Sequence, residues 1–205
     1  MTDFGEQYDR VVYAVGRRAA ERLLAVWDEV EWLDEAAPLM AAILAGANVE
    51  ASAAALLALY GSLADATGQL APPAAVPPRS SWTDTARLQA AVELIHAEAD
   101  VADPRMRLER LAHGETSSTA AEAYGDALQA DERVSGWVRR VNAGGCQLCS
   151  WWARNGRVWP ADLTMPRHTG CRCTQTPVVV DQITDVDSRT WARSDRDKAR
   201  EAAAL

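Results

Sequence analysis

Apolar positions recur every three or four residues near the start of the chain: Val12, Val15, Ala19, Leu23, Val26, Val30 and Leu33. That period puts them on one face and predicts a long amphipathic helix over 6–35, with Trp27 and Trp32 flanking the stripe. Pro38 marks a break or the first turn of the next helix. Over 39–69 the stripe is weaker (Leu39, Ile43, Leu56, Leu57, Tyr60, Leu63), and Gly46 and Asn48 are where it would split. Residues 71–81, A-P-P-A-A-V-P-P-R-S-S, read as an extended linker, or as a loop crossing one end of the helical pair.

Beyond the linker, Leu88, Val92, Ile95 and Ala99 share a face, predicting a helix from Asp84 to Val101 with Thr83 as its better cap. Pro104 opens a short helix through Leu111 that Gly114 ends. Ser117 or Ser118 then caps another, carrying Tyr124 and Leu128 to about Ala130. Val134, Trp137, Val138 and Val141 fit a last helical turn or a short strand. After that the pattern reads as β-hairpins and knuckles. Asn155-Gly156 favours a tight turn that would fold Trp151–Arg154 against Arg157–Trp159. Thr174–Val180 reads as a closing strand, which Pro177 confines to an edge. The fold class expected is therefore mainly α: long N-terminal helices followed by a small α+β cysteine/histidine knuckle domain. The expected units are 1–70, the linker 71–81, a helical 82–135, a β-rich 136–180 and a charged tail, 181–205, forming a helix or a mobile arm.

Composition sharpens this picture. Much of the 48% hydrophobic content is alanine, which favours helix but buries little area, so thin helical packing is expected. The net charge of −8 is unevenly spread. Residues 1–135 carry 22 acidic and 10 basic side chains, a balance of −12, whereas 136–177 carry one acidic and six basic, a balance of +5. The whole chain should be repelled by nucleic acid, while the cysteine region need not be. The opening M-T-D-F-G-E lacks the basic-then-apolar order of a signal peptide. No uninterrupted apolar run of membrane-spanning length occurs, so no membrane partner is expected. In a reducing cytoplasm, clustered cysteines bind metal more often than they pair.

All four cysteines fall in 146–173, as Cys146-x2-Cys149 and, after 18 residues, His168-x2-Cys171-x-Cys173. Pairs two residues apart can point at one ion from a tight knuckle, and zinc takes four thiolate or imidazole ligands tetrahedrally. Five donors compete for four places. Cys146, Cys149 and His168 are the easier three. Cys171 and Cys173 compete for the fourth, because side chains two apart in a strand face opposite ways. Disulfides, a redox Cys-x-x-Cys and a cluster that folds without metal are the other readings. The redox one lacks its usual strand-to-helix setting. A catalytic zinc is disfavoured: no acidic base adjoins the ligands, and His96, His113 and Glu115 form no H-E-x-x-H pattern. His96 and His113 read as surface or half-buried helix residues. Trp151, Trp152 and Trp159 read as the core of a tiny domain, or as supplying one exposed ring that stacks on a base or anchors a protein. Arg154, Arg157 and Arg172 are the candidate phosphate contacts; a solvated rim or ion pairs to the acidic helices compete with that reading.

Several elements in order resemble a known family, the Mu F-like minor head proteins of tailed bacteriophages, also described as the SPP1 gene-7-like family. They are Cys146-Gln147-Leu148-Cys149, Gly156-Arg157-Val158-Trp159-Pro160, His168-Thr169-Gly170-Cys171-Arg172-Cys173 and Thr176-Pro177-Val178. Gly136-Trp137-Val138-Arg139-Arg140 and the helix holding Tyr124–Leu128 are similar to segments leading into that signature. The likeness covers 124–180; the N-terminal helices resemble the family only in kind, and Gly170 stands where an asparagine is usual. The resemblance implies a non-enzymatic minor structural protein of the head, acting with portal or major capsid protein in assembly, DNA packaging or ejection. It implies residence in the virion, and in the host cytoplasm during assembly, with no small-molecule substrate; non-specific double-stranded DNA as a further contact is expected from the +5 balance of 136–177. A zinc-containing nucleic-acid-binding module and a small redox or metal-dependent enzyme are the rival readings.

Overall fold

A computed structural model describes residues 4–29, 35–70, 76–142 and 145–180. The expected fold class holds: the chain is mainly helical, with long N-terminal helices and a small three-stranded antiparallel sheet towards the C-terminal end. The elements are α1 (Phe4–Glu29), α2 (Ala36–Thr67), a 3-10 turn (Ser80–Trp82), α3 (Thr85–Ala97), α4 (Pro104–Ala130), β1 (Val134–Arg140), α5 (Gln147–Ala153), β2 (Val158–Pro160) and β3 (Thr174–Val179).

The α1 stripe packs as its period predicts: Val12, Val15, Ala19 and Leu23 are buried. Its expected last turns, with Val30, Trp32 and Leu33, lie outside the described residues, as does the tail 181–205. Tyr8, Val12 and Val15 meet the later half of α2 and of α4, while Ala19 and Leu23 meet their earlier halves. Thus α1 runs antiparallel to both. Alanines fill these seams (Ala41, Ala51, Ala55, Ala112, Ala120, Ala123 and Ala127 are all fully buried), so the helices approach closely. The leucines between them, such as Leu23, Leu44 and Leu108, each contribute about 1.5–3 kcal/mol of burial.

Two expected helix breaks are absent. α2 runs unbroken through Gly46 and Asn48. Asn48 is fully buried, and its Nδ2 donates to the Trp82 carbonyl at 2.9 Å, so it serves as a tertiary anchor. α4 runs unbroken through Gly114, Ser117 and Ser118, because burial of Ala112, Thr116, Thr119 and Ala120 on one face outweighs one glycine's helix penalty of about 1 kcal/mol. Thr116 Oγ1 bonds back to the Ala112 carbonyl at 2.9 Å, which keeps its hydroxyl satisfied inside the helix. At α3 the cap is Asp84, not Thr83: its carboxylate accepts from the Arg87 amide at 3.1 Å. The carboxylate also complements the helix dipole, which a threonine does not.

α2 is long and apolar enough to cross a membrane by length and composition, although the sequence pattern predicts no such span. One of its faces is buried against the other helices and Glu50 pairs with Arg18, while Leu39, Val49 and Leu57 are exposed. In the segment read as linker, Arg79 pairs with Asp126 of α4, and the residue that follows the segment anchors it. Trp82 is buried, and its Nε1 donates to Glu122 at 2.9 Å.

Val134–Arg140 is a strand, and the central one: the order is β2-β1-β3. Pro177 lies on the edge strand β3, opposite Trp137, as its missing N–H requires. Val134, Trp137, Met165 and Val179 join the same core as Tyr8, Leu59, Leu63 and Tyr124. The sheet therefore sits on the helices and brings the cysteine segments to their end.

Candidate metal centre

The tight hairpin expected at Asn155-Gly156 does not form. Residues 147–153 are helix α5, and β2 pairs with β1 instead, Trp159 opposite Trp137. Arg154, Asn155 and Gly156 all have positive φ (47°, 53° and 85°), so the pair supplies a left-handed helix exit. Burial decides between the two: Trp137 is fully buried and stacks on Trp159 at 6.0 Å, with its Nε1 donating to the Leu163 carbonyl at 3.0 Å.

α5 positions the first two donors. Cys146 is its exposed N-cap, and Cys149, one turn later, points inward with 1% exposure. The other three come from the turn before β3, where the Cys171 amide bonds the His168 carbonyl at 3.0 Å and Gly170 takes φ 74°. His168 Nε2 lies 3.3 Å from Cys146 Sγ and 3.1 Å from Cys149 Sγ; Cys149 Sγ lies 3.7 Å from Cys171 Sγ. Zinc–sulfur and zinc–nitrogen bond lengths put tetrahedral ligand atoms roughly 3.5–3.8 Å apart, close to these values. The donors form two overlapping groups, Cys146–Cys149–His168 and Cys149–Cys171–Cys173, and in each the ligand atoms lie within 4.8 Å of one another. Together the five could hold a metal ion, with Cys149 common to both groups.

Cys171 and Cys173 do not face opposite ways as strand alternation predicted. Both are buried in one cluster with Cys149, because β3 begins at Thr174 and strand alternation does not govern them. All four cysteines are free of disulfides.

The donors differ in their electrostatics. His168 Nδ1 lies 2.9 Å from the Thr169 carbonyl, which only an N–H can satisfy, so Nε2 turns its lone pair to the two sulfurs. That backbone bond raises the His168 pKa. The Cys149 amide lowers the Cys146 thiol, whereas burial raises Cys149. A hydrogen bond from Cys173 pulls Cys171 down to about 4 and correspondingly raises Cys173. Arg167 Nη2 donates to the Cys171 carbonyl at 2.6 Å.

The three tryptophans divide. Trp151 is 62% exposed; Trp152 is half-buried with its ring 6.3 Å from that of His168; Trp159 is half-buried against Trp137. The three candidate phosphate contacts also differ. Arg154 is exposed, Arg157 lies 4.4 Å over the Trp159 ring, and Arg172 is bound to Asp9 and lies 4.5 Å over Tyr13. His96 and His113 are half-buried on α3 and α4.

Sequence reasoning missed Arg139, Asp9 and Asn142. Asn142 Nδ2 and the Arg172 guanidinium both donate to Asp9, fastening the knuckle to α1. Only Arg139 carried a local signal: in a strand it shares a face with Trp137, two residues earlier.

No protein-family model, no curated protein and no solved structure matches this chain.

Proposed function

We propose that this protein is a non-enzymatic minor head protein of a tailed phage, of the Mu F-like kind, and that its cysteine/histidine cluster holds a structural zinc. The observation that carries the reading is the closure of the Cys-x-x-Cys and His-x-x-Cys-x-Cys elements into one cluster where the sheet meets the helices. A sulfur-rich donor set selects zinc among the common divalent ions. Five protein donors for four places leave no position for a reactive water, which a catalytic zinc needs. The ion joins α5 to the turn before β3, a part of the chain with little apolar core of its own.

In this reading the protein acts at the portal vertex of the head, with portal or major capsid protein as its partner, in assembly, DNA packaging or ejection. The nucleic-acid-binding rival has less support, because Asp9 neutralises Arg172, one of its three candidate contacts.

The test has two arms. Protein purified under reducing conditions should contain about one zinc per chain by elemental analysis. In infected cells it should co-purify with portal protein, and its deletion should lower the yield of viable particles while shells still form. Absence from both procapsids and virions overturns the head role; metal-free protein with an unchanged fold at 145–180 overturns the zinc.

A further inference from the structure

Arg139 lies in the central strand and is 3% exposed. Its Nη2 donates to the Pro166 carbonyl, its Nη1 is 4.0 Å from Cys171 Sγ, and its guanidinium lies 5.1 Å over the Trp152 ring. Its Nε has no partner. Among the described residues no carboxylate pairs with it, whereas Arg79, Arg87, Arg133 and Arg172 each have one. A guanidinium this buried is costly unless an anion compensates it. Among the described residues, the anionic chemistry that Arg139 contacts is the Cys171 sulfur.

We propose that Arg139 is the buried counter-cation of an anionic metal–thiolate centre, and that Cys171 is one of the thiolates that bind the ion. The inference rests on the zinc reading above and adds its charge and one of its ligands. A divalent ion with three thiolates and one neutral imidazole carries one net negative charge; with four thiolates it carries two. Arg139 cancels one of these at about 4 Å, where a low-dielectric setting makes the attraction strong. A merely polar site, or one filled by neutral thiols, leaves the guanidinium uncompensated. The arginine also ties the ion to the sheet, because β1 carries both Arg139 and Trp137. Arg139 is thus a positioning residue, acting through Cys171.

The test uses the full chain, reduced, in wild-type, Arg139→Met, Arg139→Gln, Arg139→Lys and Cys171→Ser forms. Zinc affinity is read by competition with a chromophoric chelator, and each form is melted with and without zinc. The uncharged variants should bind zinc at least about tenfold more weakly, as loss of such outer contacts usually does, and Lys should restore most of the affinity. Arg139→Met should lower the melt with zinc by more than the melt without it. With cobalt in place of zinc, loss of the arginine should move the sulfur-to-metal band to lower energy, and Cys171→Ser should weaken that band. Uncharged variants that bind as tightly as wild type, or that lower both melts equally, overturn the counter-cation. An unchanged band in Cys171→Ser overturns the ligand assignment. A wild-type chain that binds no zinc overturns the zinc reading itself, a result separate from all of these; the inference falls with it.

Discussion

Arg172, the residue between the last two cysteines, grips Asp9 in the second turn of α1 with two bonds, Nε at 3.0 Å and Nη2 at 2.7 Å. The partners are 163 residues apart in sequence, and Asn142 donates to the same carboxylate at 2.9 Å. The cysteine/histidine cluster and the helical body therefore share one polar clamp. Asp9→Ala should cost about 1 kcal/mol, a modest figure because the Arg172 side chain is 42% exposed and water screens the pair. Hydrogen exchange should quicken together in the first turns of α1 and around residues 168–174. Quickening at only one of the two places would show that the clamp does not couple them.

Cys149 belongs to both donor groups, whereas Cys146 is exposed and belongs to one. Cys149→Ser should abolish stoichiometric zinc binding. Cys146→Ser should retain it, since it leaves Cys149, the donor common to both groups, in place. Elemental analysis of the two purified variants decides this, and equal loss in both would give Cys146 a required place in the ligand set.

At Gly136, β2 passes close to β1. A Cβ there would collide with the Trp159 carbonyl and lie 2.9 Å from Val158 Cγ1. Gly136→Ala should cost about 1–3 kcal/mol in urea unfolding, as overpacking at a close approach does. The near-ultraviolet signal of the Trp137–Trp159 stack should weaken with it. A fully preserved signal and midpoint would mean that β2 yields without loss.

His113 stacks on Tyr13 at 4.8 Å, and burial, helped by the Arg172 charge, lowers its pKa below the usual 6.5. The unfolded chain therefore takes up a proton before the folded one does. Stability present above about pH 6.5 falls as the pH drops from there through the folded value. The ring is half-buried, so the effect should be a few tenths of a kcal/mol. Acid also protonates thiolates, so the diagnostic is a difference. Unfolding midpoints of wild type and His113→Gln, taken on either side of pH 6.5, should diverge in that direction. Identical pH slopes would remove His113 from the account.

The sequence determined the parts whose rules are local. Three- and four-residue spacing in Val12–Leu23 sets the buried face of α1, Pro177 can sit only on an edge strand, and the Cys/His spacing names all five donors. Tertiary structure decided what local rules leave open. Gly114 fits a helix stop and Asn48 a break, yet both lie within helices because packing against α1 and Trp82 outweighs their small local costs. Asn155-Gly156 permits positive φ in a hairpin turn or a helix exit; burial of Trp137 against Trp159 selected the exit, and with it α5 and the inward turn of Cys149. The anchors Asp9 and Arg139 reach the site across 163 and 32 residues, to Arg172 and Cys171. No window of sequence spans such distances, because ion pairing and counter-charge depend on spatial separation and not on separation along the chain.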